Sequence, residues 1–292
     1  MNRIRAGQVL TRNPVNHSQL YRVSLSPDTV DCIVFWTKDP LNLMPYLDEL
    51  DSLGYQYYFQ FTVTPYGSDL ETNLRPKAEI EDTFIQLSRR VGSNRVVWRY
   101  DPIILNENIS IDYHHEQFTR LCDRFASTEK YTDTVVISFV DLYPKIKSPV
   151  IRELAADEIS ALAEFIGKTA AEYGLHAVTC CESVDLSSYG IEHSSCISRS
   201  RIEEICGCTL DIPPEKNQRD GCGCYKSIDI GAYHSCINGC VYCYATGLPS
   251  SVQTRYHAHD PSSELIIGSV RDGEVIIDKP SESYKSGQLS LF

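Results

Sequence analysis

Two rhythms of apolar and polar residues alternate along the chain. Apolar runs rich in β-branched and aromatic residues occupy positions 31–37, 57–64, 95–100, 134–140, 175–180 and 226–231. Helical spacing of apolar residues falls between them, in a short stretch through Leu53 and at about 78–91, 114–127 and 155–173. Strands this apolar, separated by amphipathic helices, predict repeated βα units with the strands parallel and buried. The expected fold class is α/β: a partial or complete parallel (β/α) barrel, with a doubly wound open sheet as the main rival. One barrel-like domain is expected over residues 1–245. From Thr246 the periodicity fades and Pro249, Pro261 and Pro280 appear. This predicts a loop-rich extension over 246–292, with one extra strand at 264–270 and a flexible tail over 281–287.

Polar residues collect where the predicted strands end. Lys38 and Asp39 follow the first, Thr62 and Thr64 close the second, Arg99 and Asp101 the third; Asp141 follows the fourth and Glu182 the fifth. In parallel α/β folds the C-terminal rim of the sheet is where sites are built. Any one of these residues has the alternative role of capping a helix or turn.

Composition changes the picture little. The 292 residues are 42% apolar and 23% charged, ordinary for a globular chain. No apolar run is long enough to cross a bilayer and the start is polar and basic, so no membrane is expected and a cytoplasmic location is. The net charge of −12 argues against broad adhesion to nucleic acid. The one basic region, with Arg3, Arg5, Arg12 and Arg22, is expected to be solvated surface.

Cysteine usage changes the picture greatly. Ten of the 12 cysteines lie from Cys180 onward, and in a reducing compartment thiols so clustered point to metal or cluster binding. Cys32 and Cys122 stand apart. The densest segment is Cys236-Ile-Asn-Gly-Cys240-Val-Tyr242-Cys243. A tight loop of this spacing can aim Cys236, Cys240 and Cys243 at three irons of a 4Fe–4S cluster, leaving the fourth without a protein ligand. The alternative is a zinc knuckle completed by His234 or another cysteine. A second site, an auxiliary iron–sulfur cluster or a structural zinc, is expected from Cys180, Cys196, Cys222 and Cys224, with Cys181, Cys206 and Cys208 competing for the role. Its alternative is a set of unligated buried thiols.

The spacing, with Tyr242 in place, resembles the signature of the radical-SAM enzymes, in which S-adenosylmethionine (SAM) occupies the open iron and is cleaved to a 5′-deoxyadenosyl radical. The stretch Cys222-Gly-Cys224-Tyr-Lys-Ser-Ile-Asp-Ile-Gly-Ala-Tyr233, the cysteine loop with Tyr244-Ala245 after it, Val34-Phe-Trp-Thr-Lys-Asp-Pro40 and Asn217-Gln-Arg219 resemble an uncharacterised bacterial family. That family is catalogued as a domain of unknown function with a C-terminal cysteine cluster of radical-SAM type. Thr37-Lys38 and Arg99-Tyr-Asp-Pro102 more distantly resemble the spore photoproduct lyase group, radical-SAM enzymes of DNA repair. The resemblance implies that Lys38 pairs with the SAM carboxylate, Tyr242 packs near its adenine, and Arg99 and Asp101 hold the ribose or the substrate. It also implies an electron donor such as flavodoxin or ferredoxin and a nucleic-acid substrate. In radical-SAM proteins the cluster loop follows the first strand of the barrel; here it follows the last predicted one, which implies a circular permutation. Two motifs of these families are absent: an initial strand bearing Arg-Arg-Thr-Asp, so the chain is expected to begin downstream of the natural start, and a Gly-Gly-Glu for the SAM amino group.

The final residues, Gln288-Leu-Ser-Leu-Phe292, resemble the peptide by which bacterial polymerases and repair proteins dock on the sliding clamp. Folding back onto its own domain is the alternative for this apolar end. Three readings follow: a radical-SAM enzyme, a zinc- or cluster-stabilised binding module, and a clamp-tethered adaptor.

Overall fold

The computed structural model describes all residues except 17, 144–149, 217, 220 and 290–292, with side chains to residue 286. The proposed clamp peptide and Asn217 therefore lie wholly or partly outside the described residues. The chain opens with a single helical turn, α1 (Asn2–Arg5), and an antiparallel pair, β1 (Gln8–Arg12) and β2 (Gln19–Ser24). Six strands then form one parallel sheet: β3 (Ile33–Thr37), β4 (Tyr57–Thr62), β5 (Val96–Ile103), β6 (Thr134–Phe139), β7 (His176–Cys180) and β8 (Glu192–Ser194). The helices between them are α2 (Leu47–Ser52), α3 (Lys77–Val91), α4 (Ile111–Ala126) and α5 (Ala156–Glu172).

The strands lie side by side in chain order. A doubly wound sheet reverses order at a switch point, and this sheet has none. Successive right-handed crossovers in one direction place every connecting helix on the same face, as in a (β/α) barrel or part of one. Side-chain parity agrees. Phe59, Phe61, Trp98, Tyr100, Val135 and Ile137 face α3, α4 and α5 in the main core. The opposite residues, Tyr58, Val97, Val136 and Val178, pack on Ile202 and Ile205 of α6 (Arg199–Cys206) and on Leu210 of β9 (Cys208–Leu210). Helix α6 plugs the lower part of this second face. Its upper part, toward the strand ends, carries Gln60, Arg99, Asp101, Ser138 and Cys180.

Several local expectations change. Residues 226–231 form no strand, and β8 supplies the sixth place. Their alternation serves packing instead, because Ile228 and Ile230 cover Val9 and Val23 of the N-terminal sheet and Leu25 just after it. After α7 (Pro249–His257), the run 264–270 makes a single bridge, Leu265 to Leu10, rather than a strand. The extension returns to the body twice: β10 (Val275–Asp278) pairs in parallel with β2, and β11 (Lys285–Leu289) pairs antiparallel with β9. The expected tail over 281–287 is thus strand from Lys285. The basic N-terminal segment is not merely solvated, since its arginines tie it to the rest of the chain. Arg3 donates to the Asp260 carbonyl (2.8 Å), Arg5 pairs with Glu49 (2.6 Å), Arg22 with Asp278 (2.8 Å) and Arg12 with Glu274. Among the described residues no helix is long and apolar enough to cross a membrane.

Candidate functional site

The cysteine loop lies against the segment that follows β4. The Val241 amide donates to the Leu70 carbonyl (3.0 Å), the Asn73 amide to the Asn238 carbonyl (3.0 Å), and the Asn73 side chain to the Ile237 carbonyl (2.7 Å). Cys240 forms an isolated antiparallel bridge with Glu71. Gly239 makes the turn between Cys236 and Cys240 with φ +70°, and a β-carbon there would stand 3.0 Å from the Asn73 side-chain nitrogen, Nδ2. Although far from β3 in sequence, the loop lands beside the C-terminal ends of β3 and β4.

Glu71 is the hub of this contact. Its side chain is fully buried, and its Oε1 accepts from Lys38 Nζ (2.8 Å), Thr64 Oγ1 (2.7 Å) and the Tyr242 hydroxyl, while Lys77 donates to Oε2. Burial opposes ionisation of Glu71, but the Lys38 and Lys77 ammoniums outweigh it and hold the carboxyl below its usual range. Tyr242 is buried with Tyr66, Leu70, Ile104 and Val140, its ring edge-on to Tyr66. The Lys38 ammonium lies 5.4 Å from the Tyr242 ring centroid. Tyr242 is therefore an anchor beneath the loop, and its ring has little face left for an adenine. Cys236 is exposed, and Cys240 and Cys243 are half-buried. Burial raises the Cys236 thiol, and pushes the Cys240 thiol up to about 11 with Lys38 pulling the other way. The Cys243 amide donates to the Cys240 carbonyl (3.2 Å), which keeps these two cysteines in one tight turn.

Arg99 and Asp101 lie deeper, on the upper second face of the sheet. Arg99 Nε donates to Asp101 (2.9 Å), and its Nη1 to Gln60 Oε1 (3.2 Å) and Cys196 Sγ (2.9 Å). Ser138 donates to the other Asp101 oxygen. Burial opposes ionisation of Asp101, but Arg99 reverses that and holds the carboxyl below its usual range, with Lys38 adding to the effect from the loop side. Asp39 is occupied by Arg75 (2.6 Å), Asp141 by Arg219 (3.0 Å), and Glu182 accepts from the Phe139 amide (2.9 Å). These rim residues brace loops.

The fold gathers a second set of thiols here. Cys180 Sγ and Cys196 Sγ are 2.7 Å apart, and the amide of Ile197, next to Cys196, donates to Cys224 Sγ (3.4 Å). Cys180, Cys196 and Cys224 thus share one neighbourhood, with Cys222 two residues from Cys224 and Cys181 next to Cys180. Cys206 and Cys208 are not part of it; they contact each other, and Cys206 donates to the Asp31 carbonyl (3.3 Å) near the start of β3. Two non-glycine residues have left-handed φ among the described residues, Cys181 (59°) and His234 (59°), one at each thiol group. Such strain concentrates at functional sites. Among the described residues, no three His, Cys, Asp or Glu side chains stand in an arrangement that would hold a metal ion.

Glu71, in a polar connection without periodicity, and Lys77, the first residue of α3, were not legible as site residues. A profile described as a domain of unknown function, DUF1848, matches residues 1–245. The chain belongs to the DUF1848 family. No curated protein matches it. The DUF1848 match ends two residues beyond Cys243, so both thiol groups fall within it and the C-terminal extension falls outside.

Proposed function

We propose that this DUF1848 protein is a radical-SAM enzyme whose 4Fe–4S cluster is held by Cys236, Cys240 and Cys243. The observation that carries the reading is the landing of a Cys-x3-Cys-x2-Cys loop at the C-terminal rim of the parallel sheet, beside Lys38 at the end of the first strand. The donor set fits the group in kind: three thiols, one exposed, with an ammonium close by to offset the negative charge of a thiolate cluster. The sulfurs would draw together around it, since they do not form a metal-holding arrangement as they stand.

When bound, the cluster and SAM supply one-electron cleavage of a sulfonium bond and so a carbon radical for hydrogen abstraction. The chain supplies position. Glu71, with Thr64 and Tyr242, fixes the loop and the Lys38 ammonium, which keeps some exposure and has further N–H donors for a carboxylate beside it. Arg99 and Asp101 present a fixed, charged pair on the inner face, suited to hold hydroxyl groups of a ribose or substrate. For the substrate, the exposed rings of Tyr233 and Tyr244 beside the loop, with Tyr143 5.3 Å from Tyr244, favour a flat aromatic group such as a nucleobase. A role in DNA repair or nucleic-acid modification rests on these rings and on the lyase-like motifs.

The zinc-stabilised alternative has one observation of its own: His234 Nδ1 is buried without a hydrogen-bond partner, four residues after Ile230 and two before Cys236. Anaerobic reconstitution with iron and sulfide, then SAM and a strong reductant, separates the readings. The expected result is a brown protein that forms 5′-deoxyadenosine, with turnover lost in Cys240→Ala. A colourless zinc protein, or no 5′-deoxyadenosine above that control, overturns the proposal.

A further inference from the structure

We propose a second, independent thiolate metal centre on the inner face of the sheet, with Cys180, Cys196, Cys222 and Cys224 as ligands to zinc or to an iron–sulfur cluster. These residues come from the end of β7, the loop after β8 and a Cys-Gly-Cys turn, and only tertiary folding brings them together. Three features point to a ligand. First, Cys196 and Cys224 are buried, yet polar donors aim at their sulfurs: Arg99 Nη1 at Cys196 (2.9 Å) and the Ile197 amide at Cys224 (3.4 Å). Donors of this kind surround metal-bound thiolates and tune them. Second, the Cys196 backbone is fixed, its carbonyl accepting from the Tyr58 hydroxyl (2.5 Å) and the Gln60 amide (2.9 Å). Third, Cys181 is held in the left-handed region immediately after Cys180, where the chain must turn sharply to leave the sulfurs facing one another.

The geometry also states what binding requires. Cys180 and Cys196 sulfurs are 2.7 Å apart, whereas sulfurs on a tetrahedral zinc with bonds of about 2.3 Å lie roughly 3.8 Å apart. As they stand no three of these thiols form a metal-holding arrangement, so seating a metal spreads this pair by about 1 Å and draws Cys222 and Cys224 in. Rotation of the Cys180 and Cys196 side chains supplies that movement while the Cys196 backbone stays held, and Cys222 and Cys224 sit in loops free to close on the metal. Cys181, the residue after Cys180, remains as a fifth thiol beside the centre.

The site does not rest on the radical-SAM reading, and the test separates the two. Full-length protein carrying Cys236→Ala, Cys240→Ala and Cys243→Ala is prepared anaerobically with iron and zinc supplied. Iron, zinc and acid-labile sulfide are then counted, and the metal is examined by X-ray absorption. The expected result is either about one zinc, or about four irons with sulfide, per chain, in a sulfur-dominated shell. Adding Cys196→Ala and Cys224→Ala should lower that content at least tenfold. A folded triple variant with metal below about a tenth of an equivalent, or with metal unaffected by the added substitutions, overturns the proposal. If the added substitutions prevent folding, the absorption shell of the triple variant decides: nitrogen and oxygen neighbours in place of sulfur refute the site.

Discussion

Removing the Glu71 carboxylate should unsettle the cysteine loop more than any change to the loop's own exposed residues. Lys38 Nζ stands 2.8 Å from Glu71 Oε1, and at an effective dielectric near 20 such a contact is worth about 6 kcal/mol before desolvation is counted. Breaking a buried pair by deleting one partner typically costs about 3–5 kcal/mol, because the remaining charge stays behind. Two charges stay behind here. However, the Lys38 and Lys77 side chains are 14% and 23% exposed, so both recover some hydration, and about 2–4 kcal/mol is the better figure for Glu71→Ala. Glu71→Gln keeps an acceptor for Thr64 and Tyr242 and should cost less, about 1–3 kcal/mol. Urea unfolding measures the stability change, and native-state hydrogen exchange at the Val241 amide, which bonds to Leu70, measures the local one. Exchange there should accelerate at least about tenfold, equivalent to about 1.4 kcal/mol. An alanine variant within about 0.5 kcal/mol of the parent, with unchanged Val241 exchange, would refute the idea that Glu71 anchors the loop.

Two further changes probe the scaffold. His114 is fully buried, its Nε2 donating to the Ile104 carbonyl (2.9 Å) and its Nδ1 accepting from the Tyr100 hydroxyl (2.7 Å), so the neutral ring is satisfied and burial pushes its pKa down to about 4. Unfolded His114 binds its proton near pH 6.5, so its contribution is complete above that pH and is lost as pH falls toward 4, by up to about 3 kcal/mol. Denaturant titrations from pH 7.5 to 4.5 should show the gap between the parent and His114→Gln narrowing on acidification; parallel profiles would count against the assignment. Gly167 lets α5 meet the Tyr189 carbonyl, since a β-carbon there would lie 1.9 Å from that oxygen. Despite the helix preference for alanine, Gly167→Ala should destabilise by about 1–3 kcal/mol, and a melting temperature equal to or above the parent's would contradict this close approach.

Local pattern carried much of the architecture. Residues 57–62, 96–103 and 134–139 read as buried strands because their Phe, Tyr, Trp, Val and Ile side chains fill both faces, and α3, α4 and α5 follow from apolar spacing near 3.6 residues. The three loop cysteines, Lys38, Arg99 and Asp101 were also visible, through spacing or through position at strand ends. Residues 226–231 show the limit of such reading: alternation there covers the N-terminal sheet without joining any ladder, and no local signal separates those outcomes. Convergence is a property of packing alone. Sheet order and crossover handedness put the cysteine loop against Glu71, left Cys206 and Cys208 near the start of β3, and drew Cys180, Cys196 and Cys224 together beside Arg99. Short-range sterics write periodicity into neighbouring residues, whereas contacts across scores of residues depend on how whole elements stack.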